Sequence, residues 1–187
     1  MPFGFFKKKN KEDEEPSYDP TNITIRDLRL GYIFDFEMKT FEVTGEYEYD
    51  WGDNDRSYEY KIESATDTFF LQVDDEDELT GTVNQSILWG KLPENVEEDI
   101  LKKGKPPKSI SFNGKEFFRD EKSVGYWRDV HSMSSDESTE YMCWDYYDES
   151  EKFVLCIEQH GDEAFNASLG IVEPARKFTN ILPNSKG

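Results

Sequence analysis

The second half of this chain repeats apolar landmarks of the first. Lys39, Phe41 and Trp51 recur as Lys115, Phe117 and Trp127, each 76 residues later, and Phe69, Leu71, Val73 and Ile87 recur as Phe153, Leu155, Ile157 and Ile171, each 84 residues later. The Ser/Asp/Glu-rich stretch His131–Thr139 accommodates the eight additional residues as a longer loop. A period this long implies two copies of one β-unit and not a solenoid, which stacks many shorter copies. The matched positions are mostly apolar, so the repeat specifies a core and not an activity.

A chain of 187 residues buries one good core or two small ones. The expected architecture is mainly antiparallel β: two related units, each a small barrel or half-sandwich, joined by one short helix. Residues 1–22 read as a plug and tether, 23–104 as the first unit with its terminal helix, and 105–187 as the second unit with a C-terminal tail. Tyr32–Phe36 and Phe41–Tyr49 alternate as strands about a turn at Glu37–Lys39, with Phe41, Val43, Gly45, Tyr47 and Tyr49 on one parity. The matching turn, Asn113-Gly114, is the strongest short hairpin signal. A loop at Ser64–Asp67 sets Ile62 opposite Phe69, Tyr60 opposite Leu71 and Tyr58 opposite Val73. A loop at Asp148–Glu151 sets Tyr146 opposite Phe153, Trp144 opposite Leu155 and Met142 opposite Ile157. A one-residue slip would send each of these side chains to the wrong face. Val83–Trp89 brings a strand back to the sheet, and Pro93–Lys103 reads as a helix with Val96, Ile100 and Leu101 on one stripe, ended by Gly104.

The net charge of −19 repels phosphate backbones, so nucleic acid is a poor partner; an acidic, solvated surface is the plain reading of that charge, and an acidic docking face for a basic protein is the alternative. An aromatic content of 15% argues against disorder, because disordered acidic chains lack aromatics. No apolar run approaches the roughly 20 residues of a transmembrane helix. Met1–Phe6 is apolar and Lys7–Lys9 follows, the reverse of a secretory signal. The expected address is the cytoplasm; Phe3, Phe5 and Phe6 read first as a frayed terminus, and alternatively as a weak contact with a partner or with a membrane surface, which would place the protein at the inner membrane. So short a plug does not anchor alone.

Histidines 131 and 160 stand apart from any Cys or His at ligand spacing, so no metal site is assigned. No nucleophile elbow, phosphate loop or dinucleotide fingerprint occurs. Carboxylates are too abundant for any pair to signal catalysis. The chain is read as more a binding protein than an enzyme, with no catalytic residue and no cofactor. The second hairpin sets Cys143 opposite Cys156, a pair that the cytoplasm keeps reduced, with a redox-responsive pair as the alternative. Tyr147 falls on the non-core parity and joins Phe3, Phe5 and Phe6 as candidate binding surface.

Two stretches carry a resemblance. One is Gly31-Tyr-Ile-Phe-Asp-Phe-Glu-Met-Lys-Thr-Phe-Glu-Val-Thr-Gly45. The other runs from Trp144-Asp-Tyr-Tyr-Asp through Ile157-Glu-Gln-His-Gly161 to Phe165, closing with Asn180-Ile-Leu-Pro183. Together they resemble a bacterial family described only as a β-rich domain of unknown function, over roughly Leu28 to Pro183. Members tend to lie near genes for phage-shock-protein-A-like and aminopropyltransferase-like proteins. The resemblance thereby implies a place beside a membrane-stress or polyamine-linked system. It brings no catalytic residue, and many relatives carry Trp where this chain has His160. The expected function is a non-enzymatic binding or accessory module. The alternatives are an enzyme or enzyme subunit with its site between the two β-units, and a thiol-based redox sensor.

Overall fold

The computed structural model describes residues 23–75, 77–161 and 164–183, less the side chain at 121. The N-terminal residues Phe3, Phe5, Phe6 and Lys7–Lys9 lie outside the described residues. In chain order the strands are β1 (Ile33–Phe36), β2 (Lys39–Gly52), β3 (Asp55–Glu63), β4 (Thr68–Asp74) and β5 (Thr80–Ser86). The helix α1 (Asn95–Lys103) follows, and then β6 (Ser109–Phe112), β7 (Lys115–Asp129), β8 (Thr139–Tyr147), β9 (Phe153–His160), β10 (Ala164–Pro174) and β11 (Thr179–Leu182). Among the described residues no helix is long and apolar enough to cross a membrane.

The turn chemistry expected from sequence is present. Glu37 and Met38, and likewise Asn113 and Gly114, hold positive φ in two-residue hairpin turns. Gly104, in the left-handed region at φ 69°, ends α1. Of the expected stripe on α1, Val96 and Ile100 are buried while Leu101 is exposed.

The strands run in the order β11-β1-β2-β3-β4-β5-β10-β9-β8-β7-β6, and β2 also pairs with β7. That last pairing closes eight antiparallel strands into one barrel, with four strands from each side of α1. Neither set of four makes a barrel of its own. About eight strands give an interior just wide enough for side chains to fill, so the halves share a single wall.

Two apolar cores lie on the outside of that wall. The first joins Phe41, Tyr60, Ile62, Leu71 and Val83 to Phe34, Phe178, Ile181, Ile25 and Leu28, which β1, β11 and their flanking turns fold over the barrel. The second joins Phe117, Trp144, Tyr146, Leu155 and Ile157 to Val96 and Ile100 of α1 and to Ile110 and Phe112 of β6. The core parity expected on β3, β4, β8 and β9 therefore holds. Phe69, Val73 and Phe153 pack at the core margins, partly buried.

On β2 the expected single parity is broken. The register against β3 shifts between Val43 and Gly45, marking a bulge at Thr44. An extra residue reverses the alternation. Phe41 and Val43 stay in the first outer core, while Tyr47, Tyr49 and Trp51 turn into a third cluster with Tyr141, Cys143, Trp127 and Cys156. On β7 a shift between Arg119 and Lys122 does the same.

The first hairpin register is as expected, with Ile62 opposite Phe69 and Tyr60 opposite Leu71. The second is displaced by two residues: Tyr146 faces Leu155, Trp144 faces Ile157 and Met142 faces Gln159. Asp148 is the cause. Its backbone N–H donates to the Phe153 carbonyl, and its carboxylate accepts the Phe153 N–H at 3.2 Å and the Ser150 hydroxyl at 2.8 Å. Glu151 takes φ 56° between them. Hydrogen bonding thus continues past β8 to Asp148, opposite Phe153, and the turn closes later than a loop at Asp148–Glu151 would. Cys143 consequently faces Glu158, and Cys156 faces Asp145.

Candidate functional site

Because both cores sit outside, the opposite parity of each strand points into the barrel. Partly buried Glu59 of β3 lies on that parity, opposite Gln72 of β4, which is exposed, and Cys143 pairs with Glu158 across β8 and β9. Strands β3 and β9 are four apart in either direction round the eight, so Glu59 and Glu158 approach from opposite walls. Each carboxylate accepts a tyrosine hydroxyl: Tyr49 to Glu59 at 3.2 Å, and Tyr141 to Glu158 at 3.1 Å. The two tyrosine rings meet at 4.8 Å between centroids.

Burial in the lumen pushes the Glu59 carboxyl up to about 8, and the charge of Glu158 pushes the same way, against the hydrogen bond from Tyr49. Burial followed by the carboxylate charges likewise raises the Tyr49 and Tyr141 phenols well above their ordinary value. A hydrogen bond with the Cys143 side chain, then burial, raises the Cys156 thiol. Both cysteines are free. They are diagonal neighbours on the lumen face and not directly opposed partners. His160 sets its ring edge-on to Trp127 and Tyr141, with Nε2 3.8 Å from Glu158. Among the described residues no group of three or more His, Cys, Asp or Glu could hold a metal ion.

Above this cluster the wall opens. β2 and β7 pair only through Tyr47–Asp50 and Tyr126–Asp129. Where they part there is a notch of about 560 Å³. Its lining includes Asp50, Trp51, Gly125, Tyr126, Glu140 and Met142. A Cβ on Gly125 would sit 2.3 Å from the Asp50 carbonyl oxygen and 3.0 Å from the Trp51 ring, so only glycine lets the indole lie down here. Trp51 stacks on Tyr49 at 5.6 Å, and its Nε1–H donates to Ser57 at 2.9 Å. Tyr126 is 52% exposed and Val124 56%.

Tyr147 lies away from the notch, partly buried between Phe118 of β7 and Val154 of β9. Sequence reasoning missed both the lumen carboxylates and the notch. The signal for the carboxylates was their non-core parity, which becomes interior only on closure. Trp51 and the run Asp50-Trp-Gly-Asp-Asn-Asp were visible, but only as a loop.

No curated protein and no solved structure matches the chain. The model of the family described as domain of unknown function (DUF4178) matches residues 29–175. With most of its length covered, including ten of the eleven strands whole, the chain belongs to that family.

Proposed function

We propose that this protein is a non-enzymatic binding module whose contact surface is the notch where β2 leaves β7. One observation carries the reading: an aromatic lining in which Trp51, held by Tyr49, Ser57 and Gly125, stands beside exposed Tyr126. Exposed aromatic side chains around a concave site supply much of the energy of protein recognition. Tyr126 is a fold-safe probe, because it faces solvent. Peptides selected from a random display library against the native protein should lose at least about tenfold in affinity for Tyr126→Ala, as hot-spot truncation does. A library that yields no binder, or binders indifferent to Tyr126, sinks the proposal.

A second reading, an enzyme or enzyme subunit with its site between the halves, is favoured by the facing carboxylates Glu59 and Glu158. The redox-sensor reading rests on the neighbouring thiols. The raised Cys156 thiol weighs against it, since the thiolate is the reactive form. We also propose that the two halves are related copies. The support is the pairing pattern: Val43 faces Ile62 and Glu46 faces Tyr60, just as Arg119 faces Tyr146 and Lys122 faces Trp144, the spacings of the sequence repeat.

A further inference from the structure

We propose that the notch receives an arginine or lysine side chain from a basic segment of a partner protein. The inference rests on the reading of the notch as a binding surface and names the chemistry it selects. Two aromatic side chains give it accessible surface, half-buried Trp51 and exposed Tyr126, and behind Trp51 lies buried Tyr141, its ring tilted by 56° to the indole at 5.9 Å between centroids. Aromatic faces are electron-rich and attract organic cations. Carboxylates stand on both sides: Asp50 on β2 and Glu140 on β8. The turn that follows β2 carries Asp53, and Asp55 opens β3 directly after it.

Local cations do not cancel this field. Arg56 reaches Asp50 at 3.4 Å, but it is shared with Glu48 at the same distance. Among the described residues no basic side chain forms an ion pair with Glu140, which is exposed. The net charge of −19 adds long-range attraction for a basic partner and repels an acidic one. Arginine is favoured over lysine, because a planar guanidinium stacks on indole and phenol faces while its edge reaches a carboxylate. An anionic ligand would meet two carboxylates, and among the described residues that line the notch there is no lysine or arginine.

The test uses the full chain, with Trp51 fluorescence and calorimetry as readouts. The probes are four peptides on one scaffold, whose variable positions carry arginine, lysine, citrulline or glutamate. Citrulline keeps the shape of arginine and removes its charge. The expected result is that arginine outbinds citrulline by about tenfold or more and that added salt narrows the gap. Glu140→Gln and Tyr126→Ala should each weaken the arginine peptide several-fold. Circular dichroism confirms that both variants fold. Equal binding of arginine and citrulline peptides, both lost in Tyr126→Ala, overturns the cation proposal and leaves the notch as a binding surface. Arginine-selective binding that ignores Tyr126 and Glu140 overturns it by placing the cation site elsewhere. No binding by any peptide overturns the cation proposal, and the library selection then decides the fate of the notch.

Discussion

A carboxyl group enclosed by a barrel is tolerated if it meets a cation or keeps its proton. Among the described residues Glu59 meets no cationic hydrogen-bond partner: Tyr49 donates to it, and Glu158 faces it from the opposite wall. Its carboxyl is held protonated up to about 8, against an ordinary value of 4.5. A raised folded-state pKa means that the folded chain binds this proton more tightly than the unfolded chain. The stabilisation is complete below the unfolded value of 4.5 and is lost as pH rises through about 8. Denaturant midpoints measured across that window should therefore fall with rising pH. In Glu59→Gln, which keeps the shape and needs no proton, the slope should flatten. Parallel slopes in the two proteins would mean that Glu59 is ionised in the fold.

The barrel depends on one short seam between strands. Only four residue pairs join β2 to β7, and one of them, Glu48 with Arg128, is also an ion pair at 2.8 Å across the outer face. Glu48 is buried, and it accepts further bonds from Arg56 and Tyr58. The hydrogen bond from Arg128 lowers the Glu48 pKa, so this stabilisation is present above the unfolded carboxyl value and is lost as pH falls through the lower folded one. Arg128→Ala should cost about 1–3 kcal/mol at neutral pH, the range for leaving a buried polar group short of a partner. The loss should shrink in acid, where Glu48 is protonated. A neutral-pH change below about 0.5 kcal/mol in urea melts would show that the seam holds without the pair.

Elements were legible wherever alternation and turn residues agreed. β1, β2 and β6 are bounded by their turns, and the β3–β4 register follows from its loop. The β8–β9 register was not, for a specific reason. A slip of two residues keeps every side chain on its own face, so apolar pairing cannot distinguish Trp144 opposite Leu155 from Trp144 opposite Ile157. The choice belongs to the Asp148 side chain, which closes the turn around Phe153. The bulge at Thr44 was hidden likewise, because Tyr47 and Tyr49 suit either face.

At the scale of the whole molecule, closure turns what would be a solvent face into an interior. Cys143 and Cys156 record this. They lie on the non-core parity of β8 and β9, yet Cys143 is only 5% exposed. Both thiols should react slowly with a thiol reagent in the native protein, at a rate that tracks opening of the barrel, and at once in denaturant. Immediate labelling of both in the native state would mean that the lumen is open to solvent. Alternation and turn residues in the sequence by themselves determined the β class, the first hairpins, the helix and the apolar parity of the outer cores. Each is a local matter, fixed by side-chain period and turn residues. Only the tertiary structure decided that β2 meets β7, because four backbone pairs between distant strands leave no periodic trace. From that one seam follow the enclosed carboxylates, the neighbouring thiols and the notch.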